Sequence, residues 1–322
     1  MRLLHSFRNR VLLDRVGPRL LRGLLAGLSL MLGALNVDPR RQEHVLSRVM
    51  WIWFGVFRRT TAPLRVLPTA ILVGASKSGT SALATYLAQH RAFSQPFFKE
   101  AHFFNADVRR GRLYYRAFFP TVIHRWVVQA SGRQLVTGDF TPSYYYCPHA
   151  PRQIREQVGD VKILMMLRNP IDRAFSHYKS AVLTGLEHGT FEEALAREEG
   201  RVRGEIERMR DEEGYHSLPF FRHAYVRRGY YADYVPGWLE RFSPENVLIL
   251  IFEDFVKAPD AILGQTCRFL NLDPLHLKTY PKINASPSQD RCDPATRERL
   301  EETFRPYNER LTQLLGRSLP WS

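Results

Sequence analysis

The sequence predicts an α/β fold in three layers, a parallel sheet of about five strands flanked by helices, with a helical extension at the N-terminus. Three short apolar runs support this prediction, because strands that are buried on both faces are continuously apolar. They lie at residues Ala70–Gly74, 161–167 and 246–252. Helical patterns separate these runs, and strands that alternate with helices form parallel sheets through crossover connections.

The helices follow from apolar spacing. Leu83 and Leu87 fall on one helical face after the first apolar run, and Trp238 marks the inward face of a later helix. A further short strand is expected at residues 135–137. Helices are predicted at residues 80–90, 151–158, 172–183, 191–209, 231–242, 259–270 and 294–315.

Residues 1–66 form a basic and apolar extension, and residues 67–322 form the main domain. Six arginines within the first 22 residues precede an uncharged run at residues 23–37. A second apolar stretch at residues 49–57 is rich in tryptophan and phenylalanine and ends in Arg58 and Arg59. Basic residues beside such helices suit a membrane interface, so we expect the extension to associate with a membrane surface.

Two alternatives for the extension remain open. Each apolar run is short for a membrane span, and residues 36–39 make a poor signal-peptidase site. The helices could instead pack on the main domain, or serve as a short signal anchor. The expected location is therefore the cytoplasmic face of a membrane or, for a signal anchor, the Golgi lumen.

The charge balance indicates an anionic partner. The 322 residues include 46 basic and 32 acidic side chains, a net charge of +14, and 39 of the basic residues are arginine. Arginine is the better bidentate partner for phosphate and sulfate. With 44% hydrophobic residues the composition is that of a globular protein and excludes disorder over the whole length. Three scattered cysteines make no disulfide framework or metal motif, so no metal site is predicted.

The segment from Gly74 to Ser81 lies between a buried strand and a helix, where a phosphate-binding loop is expected. Gly74 and Gly79 allow the backbone to approach an anion closely, and the helix N-terminus adds positive charge. Thr80 and Ser81 supply hydroxyl donors. The predicted binding residues of this loop are Lys77, Ser78, Gly79, Thr80 and Ser81.

The loop is P-loop-like but is not a Walker A motif. In GxxxxGK[ST] the lysine follows the second glycine, whereas here Thr80 holds that place and the lysine is Lys77. A nucleoside triphosphatase also needs a strand that ends in aspartate to hold Mg²⁺. The run at residues 161–167 ends instead in Arg168. We therefore expect a phosphorylated nucleotide that binds without a metal.

From about residue 67 to residue 321 the chain resembles the sulfotransferases that use 3′-phosphoadenosine 5′-phosphosulfate (PAPS), most of all the heparan-sulfate and related carbohydrate branch. The loop around Lys77 matches the segment that binds the 5′-phosphosulfate in that family. The segment at residues 167–178 matches the one that binds the 3′-phosphate. The resemblance implies PAPS as donor, with Arg168 and Ser176 as the ligands of its 3′-phosphate.

The resemblance also implies the catalytic residues. Residues 99–104 match the family motif Glu-x-His-Phe-Phe, in which the glutamate is the general base of the carbohydrate branch. Glu100 takes that role here, and His102 is the rival because cytosolic relatives use a histidine. The segment at residues 138–144 departs from its family motif: Phe140 replaces a lysine that relatives place beside the sulfuryl group. Lys77, with Lys99 as a second cation, must then stabilise the transferred group.

Three further assignments are less specific. Arg228 matches a segment that contributes to the 3′-phosphate and adenine pocket. No family-like basic motif closes residues 280–292 over the nucleotide, so Lys282 or Arg291 is expected to substitute. The tyrosines at residues 144–146 are interpreted either as core packing or as a wall on which a sugar stacks.

The expected function is transfer of a sulfuryl group from PAPS to a hydroxyl of a glycan or glycolipid. No nucleic-acid partner is expected. A nucleotide-triphosphate enzyme is one alternative, and it would need a carboxylate near the loop for Mg²⁺. A non-catalytic protein that binds polyanions is the other, and in that case the strand-end motifs would be coincidental.

Overall fold

The structure, a computed structural model, describes residues 26–32, 38–281, 283 and 292–321. A five-stranded sheet lies at its centre, with the strand order β2-β3-β1-β4-β5, and all of its pairings are parallel. The strands are β1 (Ala70–Gly74), β2 (Phe93–Ser94), β3 (Val136–Asp139), β4 (Lys162–Leu167) and β5 (Val247–Ile251). The predicted parallel sheet is thus confirmed.

Helices connect the strands and follow the last one. Those before β4 are α1 (Pro39–Trp53), α2 (Thr80–Leu87), α3 (Gly111–Arg116), α4 (Val122–Ala130) and α5 (Ala150–Gln157). Between β4 and β5 lie α6 (Pro170–Leu183), α7 (Phe191–Val202), α8 (Glu205–Asp211), α9 (Leu218–His223) and α10 (Tyr231–Leu239). After β5 come α11 (Phe252–Lys257), α12 (Pro259–Phe269) and α13 (Pro294–Leu315).

The sheet is covered on both faces, which gives the three layers. Successive side chains of a strand point to opposite faces. Met165 of β4 accordingly belongs to a core cluster with Ile71 and Val73, whereas its neighbours Leu164 and Met166 belong to the cluster on the other face. Because both faces are dry, the strands could be recognised as continuous apolar runs.

The single helix predicted at residues 191–209 is wrong. α7 ends at Val202, and α8 begins at Glu205. Gly204 between them has a φ of +74°, in the left-handed region that ends helices. α7 is also less solvated than its many charges suggest, because it buries Phe191, Glu198 and Val202 among other residues.

The described part of the N-terminal extension packs on the main domain along one face. Met50 and Phe54 lie in the core cluster, where Phe54 contacts Phe118. The buried Arg58 guanidinium donates hydrogen bonds to the carbonyl oxygens of Ala117 and Phe119, each at 2.7 Å. Residues 1–25 and 33–37 of the extension lie outside the described residues. Among the helices that the structure describes, none is both long and apolar enough to cross a bilayer.

Candidate active site

The phosphate loop leaves β1 at its carboxyl end and leads into α2. Gly79 has a φ of +83°, and a Cβ atom at this position would lie 2.7 Å from the Phe252 ring, so only glycine fits. Lys77 also adopts a left-handed backbone, with a φ of +72°. Thr80 and Ser81 stand in the first turn of α2, where backbone N–H groups have no helical partner. Such a loop presents N–H groups and an ammonium group to an anion.

Arg168 directly follows β4, the neighbour of β1, and meets the phosphate loop at the same edge of the sheet. Its Nη1 donates a hydrogen bond to the Lys77 carbonyl oxygen at 3.1 Å. The guanidinium lies over the Phe252 ring, 4.7 Å from its centroid, and the Tyr231 hydroxyl donates to the Arg168 carbonyl oxygen at 2.8 Å. Ser176 lies on α6, the helix that follows Arg168, and its side chain is half-buried.

Cations converge around the phosphate loop, and among the described residues none of them forms an ion pair within 4 Å. Burial, followed by the positive charges of Arg228 and Arg168, lowers the pKa of Lys77 to about 8. The four cations are Lys77, Arg168, Arg173 and Arg228. In the described part of the chain no carboxylate lies within 4 Å of their charged nitrogens. Repulsion of this kind is relieved when an anion binds.

Arg173 is a further cation of the site, and none of the sequence motifs assigns it a role. Its side chain is 1% exposed, and burial lowers its pKa to about 10. One Nη donates to the Tyr225 carbonyl oxygen, while Nε and the other Nη have no hydrogen-bond partner among the described residues. Its place five residues after Arg168, on the first turns of α6, is the sequence signal that could have identified it.

Glu100 and His102 form a hydrogen-bonded pair beside the loop. The Nε2 atom of His102 is 3.2 Å from a Glu100 carboxylate oxygen, and Lys99 Nζ is 3.4 Å from the other oxygen. Burial raises the pKa of Glu100, but the hydrogen bond from His102 and the charge of Lys99 outweigh burial and bring it below its usual value. Burial likewise lowers the pKa of His102, and the bond and charge of Glu100 raise it overall. The contact therefore favours the negative charge of Glu100 and the positive charge of His102.

Lys99 connects the Glu100 segment to the phosphate loop. Its ammonium group lies 2.6 Å from the Ser81 hydroxyl oxygen, in the first turn of α2. The structure therefore brings Lys77, the α2 N-terminus and Glu100 together at one edge of the sheet.

Asp139 holds the backbone that carries Glu100 and His102. Its buried carboxylate accepts hydrogen bonds from the hydroxyls of Tyr115 at 2.8 Å, Thr141 at 2.6 Å and Tyr144 at 3.0 Å. The Thr141 oxygen in turn accepts the N–H of Ala101 at 3.0 Å, and the Tyr144 oxygen accepts the N–H of residue 103 at 2.9 Å. Asp139 is thus a structural anchor under the site.

Position 140 supplies no charge to the site. Phe140 is buried in the core cluster on the α2 face of the sheet and contacts the Phe93 ring, with centroids 5.6 Å apart. The three tyrosines at residues 144–146 are at most 3% exposed. Core packing, not a sugar-stacking wall, is therefore the interpretation that fits them.

Arg228 is buried beneath the same site. Its guanidinium lies over the Tyr146 ring at 4.5 Å and donates to the Phe221 carbonyl oxygen at 3.0 Å. Lys282 and Arg291, the expected closing residues, lie outside the described residues. Within the residues that the structure describes, no group of three or more His, Cys, Asp or Glu side chains is arranged to hold a metal ion.

Comparison with known proteins places this geometry in a family. The family model described as "Sulfotransferase domain" matches residues 67–282. Human heparan sulfate glucosamine 3-O-sulfotransferase 6 is 28% identical over 283 residues, which cover 80% of this chain and 74% of that protein. The bifunctional heparan sulfate N-deacetylase/N-sulfotransferase 1 of Caenorhabditis elegans is 27% identical over 231 residues, covering 69% of this chain and 24% of that protein.

A solved structure agrees with these relatives. The crystal structure of a sulfotransferase from Alicyclobacillus acidocaldarius has 31% sequence identity and a TM-score of 0.59, and the match covers 80% of this chain and 99% of that chain. The bacterial protein therefore shares both sequence and fold with this one. Since the family model also spans more than half of the residues, the chain belongs to the sulfotransferase domain family, near its heparan-sulfate branch.

Proposed function

We propose that this sulfotransferase moves a sulfuryl group from PAPS to a hydroxyl of a sulfated glycan of the heparan-sulfate type, with Glu100 as the general base. The observation that carries the proposal is the group of cations around Lys77, which form no ion pair within 4 Å among the described residues, with the Glu100 carboxylate close by through Lys99. A nucleotide-triphosphate enzyme has less support, because Arg168 occupies the strand end where Mg²⁺ would need a carboxylate.

The residues present fit a donor with two anionic ends. Lys77 and the free N–H groups at the start of α2 suit the 5′-phosphosulfate, and Arg168 with Ser176 suits the 3′-phosphate. Arg173 and Arg228 lie behind these groups and add positive potential. The orphaned N–H groups of Arg173 and the lowered pKa of Lys77 support the binding of an anion rather than of a neutral ligand.

Glu100 is suited to accept the proton of an attacking hydroxyl. Its lowered pKa keeps the carboxylate ionised at neutral pH, and His102 fixes its orientation through a hydrogen bond of 3.2 Å. Lys77 lies in the loop that precedes α2 and Lys99 contacts Ser81 in its first turn, so both cations lie at the start of α2, where negative charge would develop on the transferred group. Glu100 then accepts the proton of the acceptor hydroxyl, while the lysines stabilise the charge on the transferred sulfuryl group and on the phosphate that leaves.

The acceptor class is proposed from the relatives and from charge. The human and nematode relatives carry heparan sulfate in their names. A net charge of +14, mostly from arginine, is compatible with a polyanionic glycan. Glycolipid acceptors are the alternative left by the sequence.

The test is transfer of ³⁵S label from PAPS to a panel of acceptors by the full-length protein. The panel contains N-sulfated heparosan, chondroitin, a galactosyl lipid and a tyrosine peptide. We expect label in the N-sulfated glycan, and loss of label in the Lys77→Ala variant. Label only in the lipid or peptide would refute the proposed acceptor, and absence of any transfer together with absence of adenosine 3′,5′-bisphosphate binding would refute the donor assignment.

A further inference from the structure

α4 is an apolar helix that the domain leaves uncovered on one face. Ile123, Trp126 and Val127 are 66%, 68% and 57% exposed. With the exposed Ala130 they follow the spacing i, i+3, i+4, i+7, which places them on one face of the helix. No residue of α4 is fully buried, and only its opposite face, through Val122 and Val128, packs partly on the domain. A contiguous exposed apolar face of this kind marks a contact surface.

Two further exposed apolar residues lie on segments next to the start of α4. The backbone of Arg65 forms a bridge with Thr121, the residue that caps α4. This pairing brings the turn at residues 62–64, together with the neighbouring helix α3, beside the start of α4. Leu64 in the turn is 57% exposed and Leu113 on α3 is 56% exposed.

Arginines border this apolar surface. Arg112, Arg116 and Arg125 line a cavity of about 530 Å³ beside α4. Arg116 Nε donates to the Arg65 carbonyl oxygen at 2.5 Å, and burial together with the charges of Arg112 and Arg125 lowers the pKa of Arg116. Among the described residues no carboxylate lies within 4 Å of the three guanidinium groups. Asp160, which lines the same cavity, pairs with Arg155 at 2.7 Å.

This surface lies at the opposite end of the sheet from the donor site. The cavity is lined by residues 66–69, 134–137, 158 and 160–162, among others, and these segments lead into β1, β3 and β4. The phosphate loop and Arg168 follow β1 and β4, so they lie at the carboxyl edge. A ligand at the arginine cavity therefore leaves the donor and acceptor sites open.

We propose that the exposed face of α4, with the arginines of the adjoining cavity, docks the catalytic domain on an anionic phospholipid bilayer. The apolar side chains would enter the acyl boundary, and the indole of Trp126 would lie at headgroup depth, where tryptophan is enriched. The three guanidinium groups would contact lipid phosphates. A bilayer uses both parts of the surface, whereas a soluble anion would use the arginines and leave the apolar face in water. This inference does not depend on the identity of the acceptor or of the general base.

The test measures binding of the full-length protein to vesicles by flotation. The vesicles contain one part phosphatidylglycerol to two parts phosphatidylcholine, and pure phosphatidylcholine is the comparison. We expect the double variant Ile123→Ser/Trp126→Ser to lower the partition coefficient about tenfold or more. We expect a loss of similar size from Arg112→Gln/Arg125→Gln, and this loss should shrink at high salt.

Matched control variants distinguish binding through this surface from non-specific binding to vesicles. Leu183→Ser/Val256→Ser removes two apolar residues that are equally exposed, at 66% and 62%, on α6 and α11. Arg241→Gln/Arg305→Gln removes two exposed arginines elsewhere. Neither control should change partition more than twofold. Binding of adenosine 3′,5′-bisphosphate, unchanged in all four variants, reports that they are folded.

A second measurement distinguishes α4 from the N-terminal extension. The emission of Trp126 is obtained as the difference in tryptophan fluorescence between the wild type and Trp126→Phe. Binding to vesicles that carry brominated lipid should quench this difference. Partition equal to wild type in both test variants, or no quenching assigned to Trp126, would overturn the proposal. If a soluble sulfated glycan, but not vesicles, shielded Trp126 from quenching by acrylamide, this would also overturn the proposal and would assign the surface to glycan.

Discussion

The Lys99 ammonium group lies 2.6 Å from the Ser81 hydroxyl and 3.4 Å from a Glu100 carboxylate oxygen. Ser81 belongs to the first turn of α2, so this side chain joins the phosphate loop to the proposed base. Relatives carry a lysine at the position of Phe140, which is buried here and supplies no charge. Lys99 supplies a cation to the site instead. We infer that Lys99 stabilises the charge on the transferred group in this chain.

Lys99→Met should lower kcat about 10²–10³-fold, because a cation aimed at developing charge stabilises the transition state more than the ground state. The Kd for adenosine 3′,5′-bisphosphate should change much less. Ser81→Ala removes the hydroxyl that Lys99 contacts and keeps the charge; because Ser81 is itself a predicted donor-binding residue, the two variants are compared in kcat at saturating donor. If Ser81→Ala costs as much as Lys99→Met in steady-state kinetics, Lys99 serves only to hold the loop.

Arg168→Ala should weaken binding of adenosine 3′,5′-bisphosphate by about 2–4 kcal/mol, the cost of removing one partner of a buried charge pair. Ser176→Ala should cost less, because it removes a neutral donor. Isothermal titration calorimetry measures both, with the exposed Arg305→Ala as control. Unchanged affinity in Arg168→Ala would place the 3′-phosphate elsewhere.

Binding of the same nucleotide should weaken as the pH rises through about 8, the pKa of Lys77 in the free protein. Lys77 is charged below that pH and loses its charge above it. An adjacent anion favours the charged form and raises the pKa. Binding near pH 8 should therefore take up a proton, which calorimetry detects in buffers of different ionisation enthalpy.

Lys77→Arg is the control for this pH dependence, because guanidinium stays charged throughout the range. It should bind with little change between pH 7 and pH 9. Equal proton uptake by the variant and the wild type would show that another group titrates.

The fold could be predicted because the strands are buried on both faces and alternate with helices. The phosphate loop could be predicted for a related reason, because Gly74 and Gly79 flank it between a clear strand and a clear helix. The break between α7 and α8 could not be predicted, since Gly204 lies within a charge pattern that is helical on both sides. A single glycine in such a pattern either is tolerated or ends the helix, and tertiary packing decides.

The site was only partly predictable. Residues within one motif, such as Glu100 and His102, are close in sequence, and their contact follows from local geometry. Arg173 and the Asp139 network depend on contacts between distant segments: Tyr115 reaches Asp139 across 24 residues, and Arg173 reaches Tyr225 across 52. Spacing along the chain carries no signal for such contacts.

Thr141→Val should reduce kcat while leaving the Kd for the nucleotide nearly unchanged. The hydroxyl links the Asp139 carboxylate to the N–H of Ala101, next to the proposed base, and valine keeps its shape. Loss of the hydroxyl leaves buried groups unpaired, at a cost of about 1–3 kcal/mol in unfolding free energy. Thr137→Val, which removes a buried hydroxyl from β3, the strand just before Thr141, is the control for stability alone. A parallel loss of nucleotide affinity would indicate wider disruption of the site.

Glu100→Gln should lower kcat about 10²–10⁴-fold, the usual cost of removing a general base, with donor binding nearly intact. Glutamine keeps the size of the side chain and one acceptor oxygen but cannot take the proton of the acceptor hydroxyl. His102→Ala should cost much less, because His102 orients the carboxylate through the 3.2 Å hydrogen bond and does not itself receive the proton. The wild-type rate should hold at neutral pH and fall only below the lowered pKa of Glu100, since protonation removes the base. Single-turnover transfer of ³⁵S measures the chemical step in each variant. An inactive His102→Ala beside an active Glu100→Gln would reverse the assignment, and the proton would then pass to the imidazole.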